Sequence, residues 1–142
     1  MLTTAQLFRN LSDNKKTKKH FRGVYPLDHL PRRLLKRPSS LIANLDEHYK
    51  PGSHWVAIYI DNRGRAFYFN PLGMLPPKPI ATFLDRSSKT GWLYNAHKFQ
   101  GDLSILCGLY CLRFLSSCPN FEKFLKYLKP CVDNETKILA NK

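Results

Sequence analysis

Apolar and polar positions change rhythm several times along the chain, and each change predicts an element. Leu7, Phe8 and Leu11 recur at helical spacing behind Thr3 or Thr4, which predicts a short packing helix over residues 3–11. Residues 12–20 break that pattern with a lysine run that cannot be buried and reads as a basic, solvated loop. Gly23, Pro26 and Pro31 punctuate residues 21–31, so this stretch is expected to be extended with turns. Residues 40–45 read as a short buried strand, and Pro51-Gly52 as a turn. Residues 54–61 are apolar on both faces after His54, as in a central strand. Asn62-Arg63-Gly64 then supplies a hairpin turn, and residues 65–70 return as its partner strand.

Beyond Asn70, residues 71–79 are too rich in proline for regular structure, residues 80–85 predict a short helical turn, and residues 92–95 one more strand. Residues 100–115 run from a polar loop into a helix apolar on almost every side, which belongs in a core. Pro119 opens a second helix, with Phe121, Phe124, Leu125 and Leu128 on one face and Lys123, Lys126 and Lys129 outward, and Pro130 ends it. The tail, 131–142, is thinly apolar and expected to be partly disordered. The pattern predicts an α+β fold, a small, mostly antiparallel sheet packed against a central helix that starts near Cys107. At 142 residues it fits a single domain, 1–142.

Charge changes this picture more than composition does. With 23 Lys and Arg against 10 Asp and Glu, the chain carries +13, an excess that predicts attraction to polyanions such as nucleic acid. Two clusters carry it: Lys15, Lys16, Lys18 and Lys19, then Arg32, Arg33, Lys36 and Arg37. The first residues lack the apolar region of a signal peptide and no segment approaches a membrane span, so an intracellular protein, cytoplasmic or nuclear, is expected, with no membrane partner. All four cysteines lie in the last third, in keeping with a reducing compartment. No Cys-x-x-Cys pair exists, and no metal is expected.

Candidate chemistry gathers at the apolar helix. Ser104 as N-cap places Cys107 three residues inside the helix start, where orphan N–H groups and the macrodipole favour the thiolate that attacks carbonyls. Gly108 leaves room above the sulfur for a substrate backbone. Read alone, Cys107 and Cys111 fit better as small core hydrophobes on one face of the helix. A nucleophilic cysteine needs a base, and the hairpin offers one. If Ile60 faces Gly64, His54 lies opposite Asn70, close enough for the amide oxygen to accept the imidazole Nδ1–H. A four-residue loop would set His54 against Pro71 instead.

Four pieces of sequence then match one family. Phe21-Arg-Gly-Val-Tyr, Pro-Gly-Ser-His54-Trp, Phe69-Asn-Pro-Leu-Gly73 and Gln100-Gly-x-x-Ser-x-x-Cys107-Gly-Leu-Tyr-Cys111 occur in the order His, acid or amide, Gln, Cys. The chain resembles adenain, the adenovirus cysteine endopeptidase, and related proteases of polinton-type elements. The resemblance implies a papain-like thiol protease fold with Cys107 as nucleophile, His54 as general base, Asn70 as its orienting residue and Gln100 in the oxyanion hole. It also implies processing of viral or mobile-element precursor proteins in the cell or the virion, with no bound cofactor, DNA as the candidate activator and a monomeric form. Asn70 stands where adenain has a carboxylate, and no cysteine precedes Cys107 to bond an activating peptide. Two alternatives stay open: a protease of ubiquitin or ubiquitin-like modifiers, and an inactive, basic nucleic-acid-binding or capsid-associated module that keeps the fold.

Overall fold

The computed structural model describes residues 1–33, 35–50, 52–101, 105–129 and 134–140. In chain order the elements are α1 (Thr4–Asp13), β1 (Phe21–Tyr25), a 3-10 turn (Leu27–His29), β2 (Ser39–Asn44), β3 (Trp55–Ile60), β4 (Ala66–Phe69), α2 (Lys78–Ser87), β5 (Trp92–Tyr94), α3 (Cys107–Ser117), α4 (Phe121–Tyr127) and α5 (Glu135–Leu139). Thr3 caps α1 through a capping box: its hydroxyl accepts the Gln6 N–H, and the Gln6 side chain accepts the Thr3 N–H.

The strands form one sheet in the order β1-β2-β3-β4-β5. It is evenly mixed rather than mostly antiparallel, because the edge strands β1 and β5 run parallel to their neighbours while β2-β3 and β3-β4 are antiparallel. β1 emerges from the stretch expected to be merely extended. Its pairing partner β2 lies roughly twenty residues on, beyond the reach of a local pattern.

β3 is fully buried because helices cover both faces of the sheet. Trp55, Ala57 and Tyr59 point toward α1, α3, α4 and α5, in a core with Phe67, Phe69, Phe114 and Leu115. Val56, Ile58 and Ile60 point the other way, toward Ile80, Phe83 and Leu84 of α2. The aromatic rings set the first layer, with Phe69 and Phe114 stacked 4.6 Å apart and 1° from parallel.

Two stretches carry more structure than a solvated loop and a thinly apolar tail require. Within 12–20, Thr17 and His20 are buried, while Lys15, Lys16, Lys18 and Lys19 are exposed. The Thr17 hydroxyl donates to the Leu11 carbonyl at 2.6 Å, so this segment closes the end of α1 instead of floating free. In the tail, residues 135–139 form α5 and bury Ile138 against α3. Pro51, Ser104, Pro130 and Cys131, to which a turn, a cap, a helix end and the start of the tail were assigned, lie outside the described residues.

Candidate active site

The β3-β4 hairpin carries the first half of the site. Ile60 pairs with Ala66 and Asp61 donates its N–H to Arg65, so the loop is the three residues 62–64, with Gly64 in the left-handed region at φ +80°. Register is therefore two residues away from the one in which Ile60 faces Gly64. Extended to the strand ends, it leaves Asn70 diagonal to His54 and not directly opposite. A two-residue slip keeps both side chains on one face, where a one-residue slip would have separated them.

The diagonal offset decides which nitrogen is used. His54 reaches Asn70 Oδ1 with Nε2, the ring nitrogen farther from the backbone, at 2.8 Å, correcting the Nδ1 contact expected for a direct pair. The Leu72 N–H also donates to Asn70 Oδ1, at 2.9 Å. A backbone N–H can only donate, so the atom facing both groups is the amide oxygen, and His54 must carry its proton on Nε2. Its Nδ1 is left with the lone pair. Burial lowers the pKa of His54 below the ordinary histidine range, and the Asn70 bond opposes this.

Asn70 is itself held by a residue that sequence reading missed. Buried Asn95, just past β5, accepts the Asn70 N–H at 2.9 Å and donates through Nδ2 to the Asn70 carbonyl at 2.6 Å and the His97 carbonyl at 3.1 Å. No local signal marks it, because its partner is 25 residues away. Gly73, at φ +72°, closes the turn by donating to the Asn70 carbonyl. The adjoining Pro71 carbonyl accepts the N–H groups of Phe99 and Gln100, at 2.8 and 3.0 Å, which brings buried Gln100 to the same corner.

Cys107 supplies the other half. It is the first residue of α3, with Leu106 at the N-cap position, rather than three residues inside. The thiol helix lies against the start of β3. Cys111 Sγ donates to the Trp55 carbonyl at 3.4 Å, and backbone N–H groups of Trp55, Gly108 and Cys107 face the Cys107 sulfur. Burial nevertheless outweighs them and raises the Cys107 pKa, so the thiolate expected from the helix start is not the resting form. Cys111 is pushed up much further by complete burial. Among the described residues His54 and Cys107 share no hydrogen bond, although His54 directly precedes the residue whose backbone faces the sulfur. Contacts of this kind often tighten only when substrate binds.

The basic residues form no part of this corner. Lys15, Lys16, Lys18, Lys19, Arg32, Arg33 and Lys36 are exposed, and Arg37 is half-buried with its guanidinium on the Ser87 carbonyl. One group of metal-ligand type, Asp28, His29 and His48, brings donor atoms within 4.8 Å of one another among the described residues. Its two imidazole rings stack at 4.4 Å and 16°, so their nitrogens lie in near-parallel planes instead of converging on an ion.

Comparisons with known proteins bear on the fold and on what the chain is similar to in sequence. Two crystal structures of an African swine fever virus protease share the fold: one superposes with a TM-score of 0.60 at 18% identity, over 97% of this chain and 64% of that one, the other with 0.53 at 24% identity, over 73% and 43%. In sequence the chain is similar to viral cysteine proteases. A protein of Acanthamoeba polyphaga mimivirus, provisionally named a thiol protease, is 34% identical over 93 residues, 58% of this chain and 30% of the relative. A cysteine protease of African swine fever virus is 36% identical over 66 residues, 42% of this chain and 24% of the relative. Its counterparts from other isolates, 35% identical over 66 residues, carry the name SUMO-1 cysteine protease. The chain thus matches between 24% and 30% of the length of these curated relatives. No family model matches it.

Proposed function

We propose that this chain is a cysteine endopeptidase of the adenain type, in which Cys107 attacks the peptide carbonyl, His54 moves the proton, Asn70 orients His54 and Gln100 helps bind the oxyanion. The observation that carries the reading is the shared acceptor at Asn70. By taking both the Leu72 N–H and the His54 Nε2–H, it leaves His54 Nδ1 as a base on the residue next to Trp55, whose backbone faces the Cys107 sulfur.

The resting pair is a neutral thiol and a neutral imidazole, since burial raises Cys107 and lowers His54 and no carboxylate stands at position 70 to stabilise an imidazolium. As Sγ bonds to the carbonyl carbon, its proton passes to Nδ1 and negative charge moves to the oxygen. The Cys107 N–H at the helix start and the Gln100 amide are the donors for that oxygen, and losing one such donor typically costs about a hundredfold to a thousandfold. Collapse expels the amine, which takes the proton from His54, and leaves a thioester. Water then attacks it, giving its proton to Nδ1, and the acid product leaves as the thiol re-forms.

The substrates we assign are viral or element-encoded precursor proteins. A second reading, cleavage after ubiquitin-like modifiers, is favoured by the SUMO-1 protease name that some African swine fever virus relatives carry. Incubating the protein and its Cys107→Ala variant with precursor peptides and ubiquitin-like precursors, with and without DNA, tests both. Cleavage by the parent alone supports the thiol mechanism, and the cleaved panel chooses the substrate class. Equal cleavage by both proteins, or none by either, would count against it.

A further inference from the structure

The notch that Gly108 leaves beside Cys107 is already filled. A Cβ on Gly108 would lie 3.3 Å from Leu2 Cβ, 3.4 Å from Leu2 Cδ1 and 3.2 Å from Trp55 Cδ1. Leu2 is held there by its own backbone, since its carbonyl accepts the Trp55 indole Nε1–H at 3.1 Å. Chain ahead of the α1 cap Thr3 therefore lies over the first turn of α3. The result is a covered nucleophile: Cys107 is 2% exposed and Trp55 7%. The same segment, Met1 to Thr4, forms one wall of a cavity of about 480 Å³ that runs from Trp55 past Val24, Tyr25 and Asn44 to Asp46 and Glu47.

We propose that Met1 and Leu2 sit in a substrate-backbone subsite and act as a displaceable strap over Cys107. The Leu2 carbonyl stands where a substrate carbonyl accepts the Trp55 indole N–H, and the Leu2 side chain stands where a branched aliphatic substrate residue packs on Gly108. The inference rests on the protease reading for the identity of the occupant, though not for the presence of the strap. A largely buried indole N–H must have an acceptor. Removing the strap leaves that donor unmatched until another carbonyl arrives, so substrate entry is an exchange of one extended backbone for another. Because the strap is tethered, it competes at an effective concentration in about the millimolar range. Leu2 has a packing role as well. It precedes the Thr3-Gln6 capping box and joins Leu7 in the same core, as a hydrophobic staple does. The experiment must separate the two roles.

Iodoacetamide labelling of Cys107, read by peptide mapping, does so without requiring catalysis. It is measured on the full chain, on a variant beginning at Thr3, and on Leu2→Gly, which keeps the chain length. The strap predicts that labelling of Cys107 rises about tenfold in both variants while buried Cys118 is unchanged, and that acetyl-Met-Leu-Thr amide added to the shortened chain slows it again. Unchanged Cys107 labelling in a folded variant overturns the proposal, as does an equal rise at Cys118, which would mean general loosening. If the shortened chain does not fold, Leu2→Gly decides by the same two criteria. A chain that cleaves its substrates yet shows no change on shortening refutes the strap alone, and one that shows the change but cleaves nothing refutes only the protease reading.

Discussion

His54 and Asn70 meet through Nε2 and Oδ1, 2.8 Å apart, although the ladder between β3 and β4 leaves them two residues out of direct opposition. The orientation of the ring therefore depends on the amide oxygen and on the turn that holds it. Asn70→Ala removes the acceptor of two donors and frees the ring, so turnover should fall, within the roughly hundredfold to ten-thousandfold that a positioned general base is worth. Asn70→Asp keeps an acceptor for both donors and adds a charge that stabilises the imidazolium, so it should retain or raise turnover. Steady-state kinetics on one peptide substrate with circular dichroism of each variant checks this, and equal activity in all three removes Asn70 from the mechanism.

Gly73 should be as sensitive as Asn70 without touching any reacting group. At φ +72° a side chain is strained by about 1–2 kcal/mol, and a Cβ there would meet the His97 carbonyl carbon and oxygen at 2.7 Å. Both contacts are backbone, so the chain must move. Gly73→Ala should lower the urea midpoint and, by shifting the turn that carries Asn70, cut turnover in the fraction that stays folded. A variant of parental stability and rate would show that the turn tolerates rearrangement.

Much of this site could be read before the fold was known, and the rest could not, for separable reasons. The thiol helix, the two-faced β3 and the hairpin end were legible because each is written in a local pattern of apolar spacing or turn residues. The register was not, because a three-residue loop can sit at 61–63 or at 62–64, and only the Asp61 to Arg65 pairing selects the second. Asn95 was invisible because its meaning lies in the Asn70 backbone. The charge state of Cys107 depends on both kinds of feature, since its place at a helix start, which favours the thiolate, is local, whereas burial beneath Trp55 and Leu2, which opposes it, is not.

The pH behaviour of Cys107 should reflect burial. Its raised pKa means that the thiolate fraction grows only above the ordinary thiol range, around 8.5–9, while His54, lowered, stays unprotonated until below about 6.5. Iodoacetamide labelling of Cys107 should thus climb through and beyond pH 9 with no plateau at low pH, and peptide hydrolysis should lose rate only on the acid side of 6.5. A labelling plateau between pH 4 and 7 would reveal a preformed thiolate-imidazolium pair instead.

His20 couples stability to pH at a place far from catalysis. It is 1% exposed, its Nδ1 lies 2.7 Å from the Ser40 hydroxyl, and its pKa is lowered to about 4, first by burial and further by Lys19 and Arg22. Its folded pKa lies below the unfolded value of about 6.5. The unfolded chain therefore binds the proton first, and the stability is whole above 6.5 and lost as pH falls toward 4. The shift corresponds to something on the order of 3 kcal/mol. Urea midpoints at pH 7, 5.5 and 4.5 should fall more steeply for the parent than for His20→Asn, and parallel curves would deny His20 that role.

The basic clusters should bind DNA without entering the chemistry. Arg22 donates to the Lys36 and Pro38 carbonyls and so pins the second cluster beside β1, while Lys19 lines a groove with Arg63 and Arg65 at the hairpin tip. Neither cluster reaches the Cys107 corner. Each phosphate neutralised releases counterions, so the slope of log affinity against log salt should be about −0.9 per contact on duplex DNA. Replacing Lys15, Lys16, Lys18 and Lys19 with alanine should flatten that slope and leave cleavage of a short peptide nearly unchanged. A slope indifferent to these lysines would reduce them to a solvated surface, and a parallel loss of peptide cleavage would mean that they support the fold at Thr17 and His20 rather than a ligand.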